Sequence, residues 1–225
     1  MRNLTMNKRT ISITTAVTST LFTAGLATAD FQGFSVDESN EFVGGTTYRV
    51  YANVDAGDQV NAIFGDGVDP LSIDSGGFGF YQNMFGSHRA PDSSLFPFFP
   101  SLEYDSFVTI GLCTSTGNAM LDIGIDWTIF EGDVLSGSHW NGGDIFTDNG
   151  SWFATPDDVQ VFEVGGRVKI GQFTIDGGEG VHGIVNILGK NADGTSWQYR
   201  GVEFPAPGAF VLLGLAGVAT RRRRT

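Results

Sequence analysis

Apolar and polar residues alternate through residues 121–130. Leu121, Ile123, Ile125, Trp127 and Ile129 hold one parity; Asp122, Gly124, Asp126, Thr128 and Phe130 hold the other. A period of two is what a strand with one face in a core requires, because successive side chains leave a pleated backbone on opposite sides. This is the clearest strand signal in the chain. Seven more stretches, 46–54, 58–65, 106–113, 159–164, 167–175, 183–189 and 196–204, are rich in β-branched or aromatic residues and separated by Gly, Asp and Asn. They read as short strands joined by turns. Within 167–175 the apolar parity runs through Val168 and Ile170, then shifts to Phe173 and Ile175. One extra residue near Gly171 would return all four to one face, so a β-bulge is predicted there. Helical periodicity is almost absent. The pattern predicts an all-β body, a single antiparallel β-sandwich or jelly roll.

Residues 66–103 show no period, yet they are too aromatic for a disordered linker. Phe96-Pro97-Phe98-Phe99-Pro100 cannot be a central strand, since each proline removes a ladder donor. The segment is expected as a loop folded over an open end of the sandwich.

The two ends of the chain follow other rules. Residues 1–29 have a basic start (Arg2, Lys8, Arg9), an uncharged, moderately apolar stretch, and Ala27-Thr28-Ala29. That is the plan of a signal peptide cut between Ala29 and Asp30. Residues 204–225 combine Pro205-Ala206-Pro207, an apolar run over 208–219, and Arg221, Arg222, Arg223 and Arg224. As a helix the run alone is roughly 18 Å long, against about 30 Å of bilayer hydrocarbon. Extended over 204–220 it reaches roughly 25 Å, the lower limit for a transmembrane helix, and the arginines would form a positive-inside stop. The body between the ends is residues 30–203, enough for one domain.

A proline motif, a short apolar helix and a terminal arginine cluster, in that order, resemble the PEP-CTERM sorting signal of biofilm-forming bacteria. The likeness covers about the last 20 residues. It implies that an exosortase, a membrane transpeptidase-like enzyme, cuts at Pro205-Ala206-Pro207 and passes the body to the cell surface or extracellular matrix. Arg221 to Arg224 would be the retention stop. Ala206 stands where the type pattern carries glutamate, and the Pro-Ala-Pro-Gly ending is similar to a variant of planctomycete-like bacteria. In the body, "YRVYANVDAGDQVNAIFG", "FPSLEYDSFVTIG", "GSWFATPDD" and "GKNADGTSW" resemble uncharacterised exported proteins of planctomycetes and other marine microbes. That likeness implies an address and no activity.

Charge changes the picture once the ends are set aside. All 25 acidic residues but only six of the 13 basic ones lie in the body, a net charge of −19. Such a body repels nucleic acid and anionic membrane surfaces, so membrane contact is expected only through the tail before processing. Cys113 is the only cysteine, which excludes an internal disulfide, and its apolar alternating surroundings predict a buried core thiol.

Candidate chemistry is thin. The aromatic loop is where a sugar-stacking platform would lie, and Trp140, Trp152, Phe153 and Trp197 could join it, with Trp152 and Trp197 the candidate glycan contacts, because ring faces stack on sugar faces while Asp and Asn accept hydroxyl hydrogen bonds. Packing of the same rings in the core is the competing reading. Asp66, Asp69 and Asp193 sit in acidic turns that offer oxygen ligands for a calcium ion, although no turn carries a complete calcium-loop motif. No catalytic motif is present, and pairs such as Asp126 with Glu131 or Glu103 with Asp105 arise readily by number alone.

Three functions remain. The first is a non-catalytic surface or matrix protein whose sandwich serves as a building or adhesion unit, delivered by the export machinery and a sorting protease or transpeptidase. The second is a lectin-like module that binds surface polysaccharide, with or without calcium. The third is a hydrolase, for which no nucleophile, base and orienting group can be named together.

Overall fold

The computed structural model describes residues 31–204 other than Val134, Ser136, Gly137 and Glu179. The predicted cleavage residues Ala27, Ala29 and Asp30 lie outside the described residues, as do Pro205, Ala206, Pro207, Arg221, Arg222, Arg223 and Arg224. No helix among the described residues is long and apolar enough to cross a membrane.

The body is all-β, with every strand pair antiparallel. Four strands form one sheet in the order β1 (Phe34–Ser39), β2 (Thr46–Asn53), β9 (Arg167–Ile175), β5 (Phe107–Val108). The second, seven-stranded sheet runs β6 (Leu121–Ile123), β8 (Gly150–Phe153), β3 (Gln59–Gly65), β10 (His182–Lys190), β4 (Leu71–Asp74), β7 (Ile145–Thr147). Strand β11 (Ser196–Phe204) pairs with β10 along its other edge. Two strands share one edge of β10: β3 pairs with Asn186 to Lys190, and β4 with His182 to Ile184. One hydrophobic cluster draws on both sheets, with Val50, Ala52, Ile170 and Phe173 from the first and Ile63, Ile73, Trp152 and Val185 from the second. Each of the buried Val, Ile and Phe side chains contributes roughly 1.5–3 kcal/mol.

Strands β9 and β11 match the predicted bounds, and β2, β3 and β10 lie close to theirs. The predicted bulge is present: Val50 pairs with Gly171 and Tyr51 with Lys169, which leaves Ile170 as the extra residue. Val168, Ile170, Phe173 and Ile175 are all buried as a result.

Other expectations fail for local reasons. The strand expected over 121–130 stops at Ile123, because Gly124 turns to φ +73 and a Cβ there would lie 2.1 Å from the Asn149 carbonyl oxygen. Asp126 then accepts from the Thr128 amide and caps the short helix α1 (Trp127–Glu131), which buries Trp127 and Phe130 while Leu121 and Ile123 face outward. A cap and a glycine outweighed the period. Asp158 likewise caps a 3₁₀ turn, Val159–Val161, where a strand was expected over 159–164. Of 106–113 only Phe107–Val108 pair as a strand, and Cys113 is exposed rather than buried.

The aperiodic stretch 66–103 supplies β4 rather than a single loop over an open end. Its last part, the 3₁₀ helix Pro100–Tyr104, lies against the outer side of β9: Gln172 Nε2 donates to the carbonyls of Glu103 at 2.9 Å and Asp105 at 3.0 Å, and Thr174 Oγ1 donates to that of Tyr104 at 2.6 Å.

Candidate functional site

Strand alternation decides what the two tryptophans can do. Ile63 pairs with Trp152 across β3 and β8, so both point into the core, while Ala62, Phe64 and Ser151 point away from it. Trp152 is 0% exposed, and its indole N–H donates to the Thr109 carbonyl at 3.2 Å. Trp197 is 7% exposed and stacks on Phe31 with ring centroids 6.0 Å apart; a Cβ on Gly189 would enter its ring. The expectation that Trp152 and Trp197 contact a glycan is therefore corrected, because both rings are spent on packing. Trp140 packs against Tyr81 and Phe42.

The residues beside those tryptophans are the ones that open outward. Ser151 and Gln198 line a groove of about 530 Å³ on the outer face of the seven-stranded sheet. Ala62, Phe64, Ile123 and Leu188 give it an apolar floor; Asp66, Asn149, Ser151, Gln198 and Arg200 give it polar edges. Its volume falls in the range of small-molecule sites, roughly 300–1,000 Å³.

Arg200 is placed there by a bulge. Val185 pairs with Val202 but Ile187 with Tyr199, so Asn186 stands against both Arg200 and Gly201. Gly201 takes φ +58, which a glycine adopts without strain. Asn186 Oδ1 accepts from the Gly201 amide at 2.8 Å, and its Nδ2 donates to the Asp69 carbonyl at 2.7 Å. The bulge turns Arg200 onto the 66–69 turn, where its Nη1 meets the carboxylates of Asp66 and, at 3.3 Å, Asp69. Its Cζ lies 5.7 Å from the Phe64 ring centroid. With its amide oxygen turned toward Arg200, Gln198 accepts from Nε at 2.8 Å and Nη2 at 3.1 Å. The amides of Asp69 and Val68, with Arg200 after them, hold the Asp66 carboxyl below its ordinary range, and the two carboxylates hold Arg200 above its own.

The calcium candidates have partners within the protein. Asp66 and Asp69 face the Arg200 guanidinium. Asp193, in the turn between β10 and β11, is turned back on Thr195, accepting from its amide at 2.9 Å and its hydroxyl at 2.6 Å. Among the described residues no three His, Cys, Asp or Glu side chains converge as a metal site.

A second constellation escaped the sequence reading, because its members are far apart in the chain. The His88 ring stacks on Trp127 at 4.5 Å with an interplanar angle of 4°. Its Nδ1 meets Glu131 at 2.7 Å and its Nε2 lies 3.4 Å from Asp122. Asp122 also accepts from the Trp127 indole at 2.9 Å and from Arg89. Burial by itself would raise the Asp122 carboxyl, but Trp127, Arg89 and His88 together bring it below its ordinary value. The network ties the 83–89 segment to β6 and α1.

The paired carboxylates read from the sequence take separate roles, with Asp126 as a helix cap and Glu131 as a partner of His88. Asp105 is fully buried; desolvation pushes its carboxyl well above the ordinary range, against the pull of the Asn83 amide 2.7 Å away. Glu103 stays exposed.

Outside the groove, Met84, Phe85, Phe98 and Phe99 expose large apolar surfaces, and the Phe85 and Phe99 rings lie 4.0 Å apart. Comparison with known proteins finds no matching family model, no matching curated protein and no matching solved structure.

Proposed function

We propose that this is an exported, non-catalytic protein of the cell surface or extracellular matrix whose body, a single β-sandwich of jelly-roll type, binds neutral polysaccharide. The signal-peptide plan ending at Ala29 and the tail of Pro205, Ala206, Pro207 and Arg221 to Arg224 support the address. In this reading the tail holds the membrane until a sorting transpeptidase releases it.

The observation that carries the binding role is the groove across the seven-stranded sheet. An apolar floor with edges of amide, hydroxyl and carboxylate groups suits a sugar, whose ring faces are apolar and whose rim is hydroxyls. The net charge of −19 disfavours acidic polymers, and Arg200 is already neutralised by Asp66 and Asp69.

Two measurements test the reading. Intact mass and terminal sequencing of the protein from its native surface should give a species starting at Asp30 and ending near Pro205. A membrane species still ending at Thr225 would remove the sorting role. Electrophoresis through gels containing neutral polysaccharides should retard the protein, and Ser151→Trp, which fills the groove, should abolish the retardation. Retardation that survives the filled groove would remove the binding role. A second reading, adhesion between copies through Phe98 and Phe99, is favoured by their exposure and predicts concentration-dependent association that Phe98→Ser weakens.

A further inference from the structure

Four of the six basic residues in the body have acidic partners. Arg89 meets Asp122, Arg167 meets Asp37, Lys190 meets Asp157, and Arg200 meets Asp66 and Asp69. Among the described residues the other two, Arg49 and Lys169, form no ion pair, in a body that holds 25 acids. They are neighbours on the outer face of the four-stranded sheet, where both reach Gln172 Oε1, Arg49 Nε at 3.1 Å and Lys169 Nζ at 3.3 Å. Lys169 is only 3% exposed. An ammonium buried without a counter-ion is costly. Where acids are this plentiful, its isolation is informative.

Lys169 lines a cavity of about 420 Å³. Leu112, Val159, Phe162 and Val164 supply apolar wall, and Val159 and Val164 are mostly exposed at its edge. Arg167 also borders the cavity, but its charge is taken by Asp37 and its guanidinium lies 4.0 Å over the Tyr51 ring. Lys169 is therefore the one cation among the cavity's lining residues without an ion pair, its Nζ resting 5.1 Å over the Phe107 ring. Beside it, 3.5 Å from Nζ, is Cys113 Sγ.

We infer that this cavity binds a small monocarboxylate with an apolar body, a short-chain fatty acid or an aromatic acid. The carboxylate meets Lys169 Nζ and the chain or ring lies against Leu112, Val159 and Phe162. One cation without an ion pair matches one negative charge, and apolar walls match a hydrocarbon body better than a hydrated phosphate. Burial pushes the Lys169 ammonium down to about 8, with Cys113 and Asp37 opposing the effect and Arg49 adding to it. The carboxylate binds the protonated form. Affinity is then level below that pH and falls about tenfold for each pH unit above it, as the amine must first take up a proton.

The protein carries its own reporter, since Cys113 is the only thiol, is exposed, and lines the same cavity. The rate at which iodoacetamide alkylates Cys113 in the full chain, scored by intact mass, is measured with and without each probe. Hexanoate at pH 7 should slow alkylation saturably, by about fivefold or more at full occupancy, while hexanol and inorganic phosphate change it less than about twofold. Lys169→Met should remove the protection by hexanoate. If that variant does not fold, wild-type protein serves alone: the hexanoate concentration for half protection should rise about fivefold between pH 8 and pH 9, where the amine passes from half to about one-tenth protonated. The inference is overturned if about 50 mM hexanoate gives no protection, if hexanol or phosphate protects equally, if folded Lys169→Met keeps the protection, or if half protection is unchanged across that pH interval.

Discussion

Truncating Trp152 tests the assignment of strand faces most directly. The side chain is fully buried on β8, packs 6.4 Å from the Trp127 ring, and donates to the Thr109 carbonyl. Trp152→Ala removes the ring and leaves a void, a loss of roughly 3–5 kcal/mol for a large aromatic side chain. It also strands a buried carbonyl, which adds roughly 1–3 kcal/mol. The combined loss of about 4–8 kcal/mol is comparable to the whole stability of an ordinary domain, about 5–15 kcal/mol. The variant should be largely unfolded or melt far below the wild type. Trp152→Phe retains most of the packing and loses the N–H donor, so about 2–3 kcal/mol is expected and the protein stays folded for measurement. Urea unfolding followed by circular dichroism gives the midpoint and slope for wild type, Trp152→Phe and Ser151→Ala. The last points into the groove and should shift stability by less than about 0.5 kcal/mol. A Trp152→Ala protein within about 0.5 kcal/mol of wild type would refute the inward placement, and a stable variant that lost only polysaccharide binding would restore the ring as a surface contact.

Other consequences are equally specific. Asp105 is raised in the folded state, so it holds its proton there after the unfolded chain has released its own. Its contribution to stability is full below the ordinary carboxylate range and is lost as pH rises toward the folded value. Asp105→Asn should therefore flatten the pH dependence of the urea midpoint and raise it at neutral pH, and an unchanged profile would contradict this. Gly189→Ala would set a methyl 2.2 Å from the Gln59 carbonyl and 2.0 Å from the Trp197 ring, and should cost about 1–3 kcal/mol by thermal unfolding. Arg200→Met should leave the melting temperature close to wild type but weaken retardation in polysaccharide gels; full retention would remove Arg200 from the binding edge. Replacing Arg221 to Arg224 by neutral residues should misplace the protein or release it unprocessed, and unchanged surface display would sink the sorting role.

The sequence by itself determined the fold class and most of the longest strands. Period-two patterning and turn residues depend on near neighbours, so 167–175 and 196–204 were legible to the residue, and so was the parity slip that makes the bulge at Ile170. The charge asymmetry between body and ends was equally plain, since it needs only counting. Short strands such as β4, β7 and β8 were not legible, because three or four residues hold too few alternations to stand out and are strands only through their partners.

Tertiary structure alone decided which face of each strand meets the core. Alternation says that Ser151 and Trp152, or Trp197 and Gln198, point in opposite directions, but the direction itself is set by the sheet that packs behind them. The sequence singles out Trp152 and Trp197 as glycan contacts, but both rings face the core, and it is their neighbours Ser151 and Gln198 that line the groove. Lys169, Cys113 and Gln172 show the same limit, as do His88, Asp122 and Glu131. Each set is assembled by pairings between distant segments, and nothing local in the chain records that they meet.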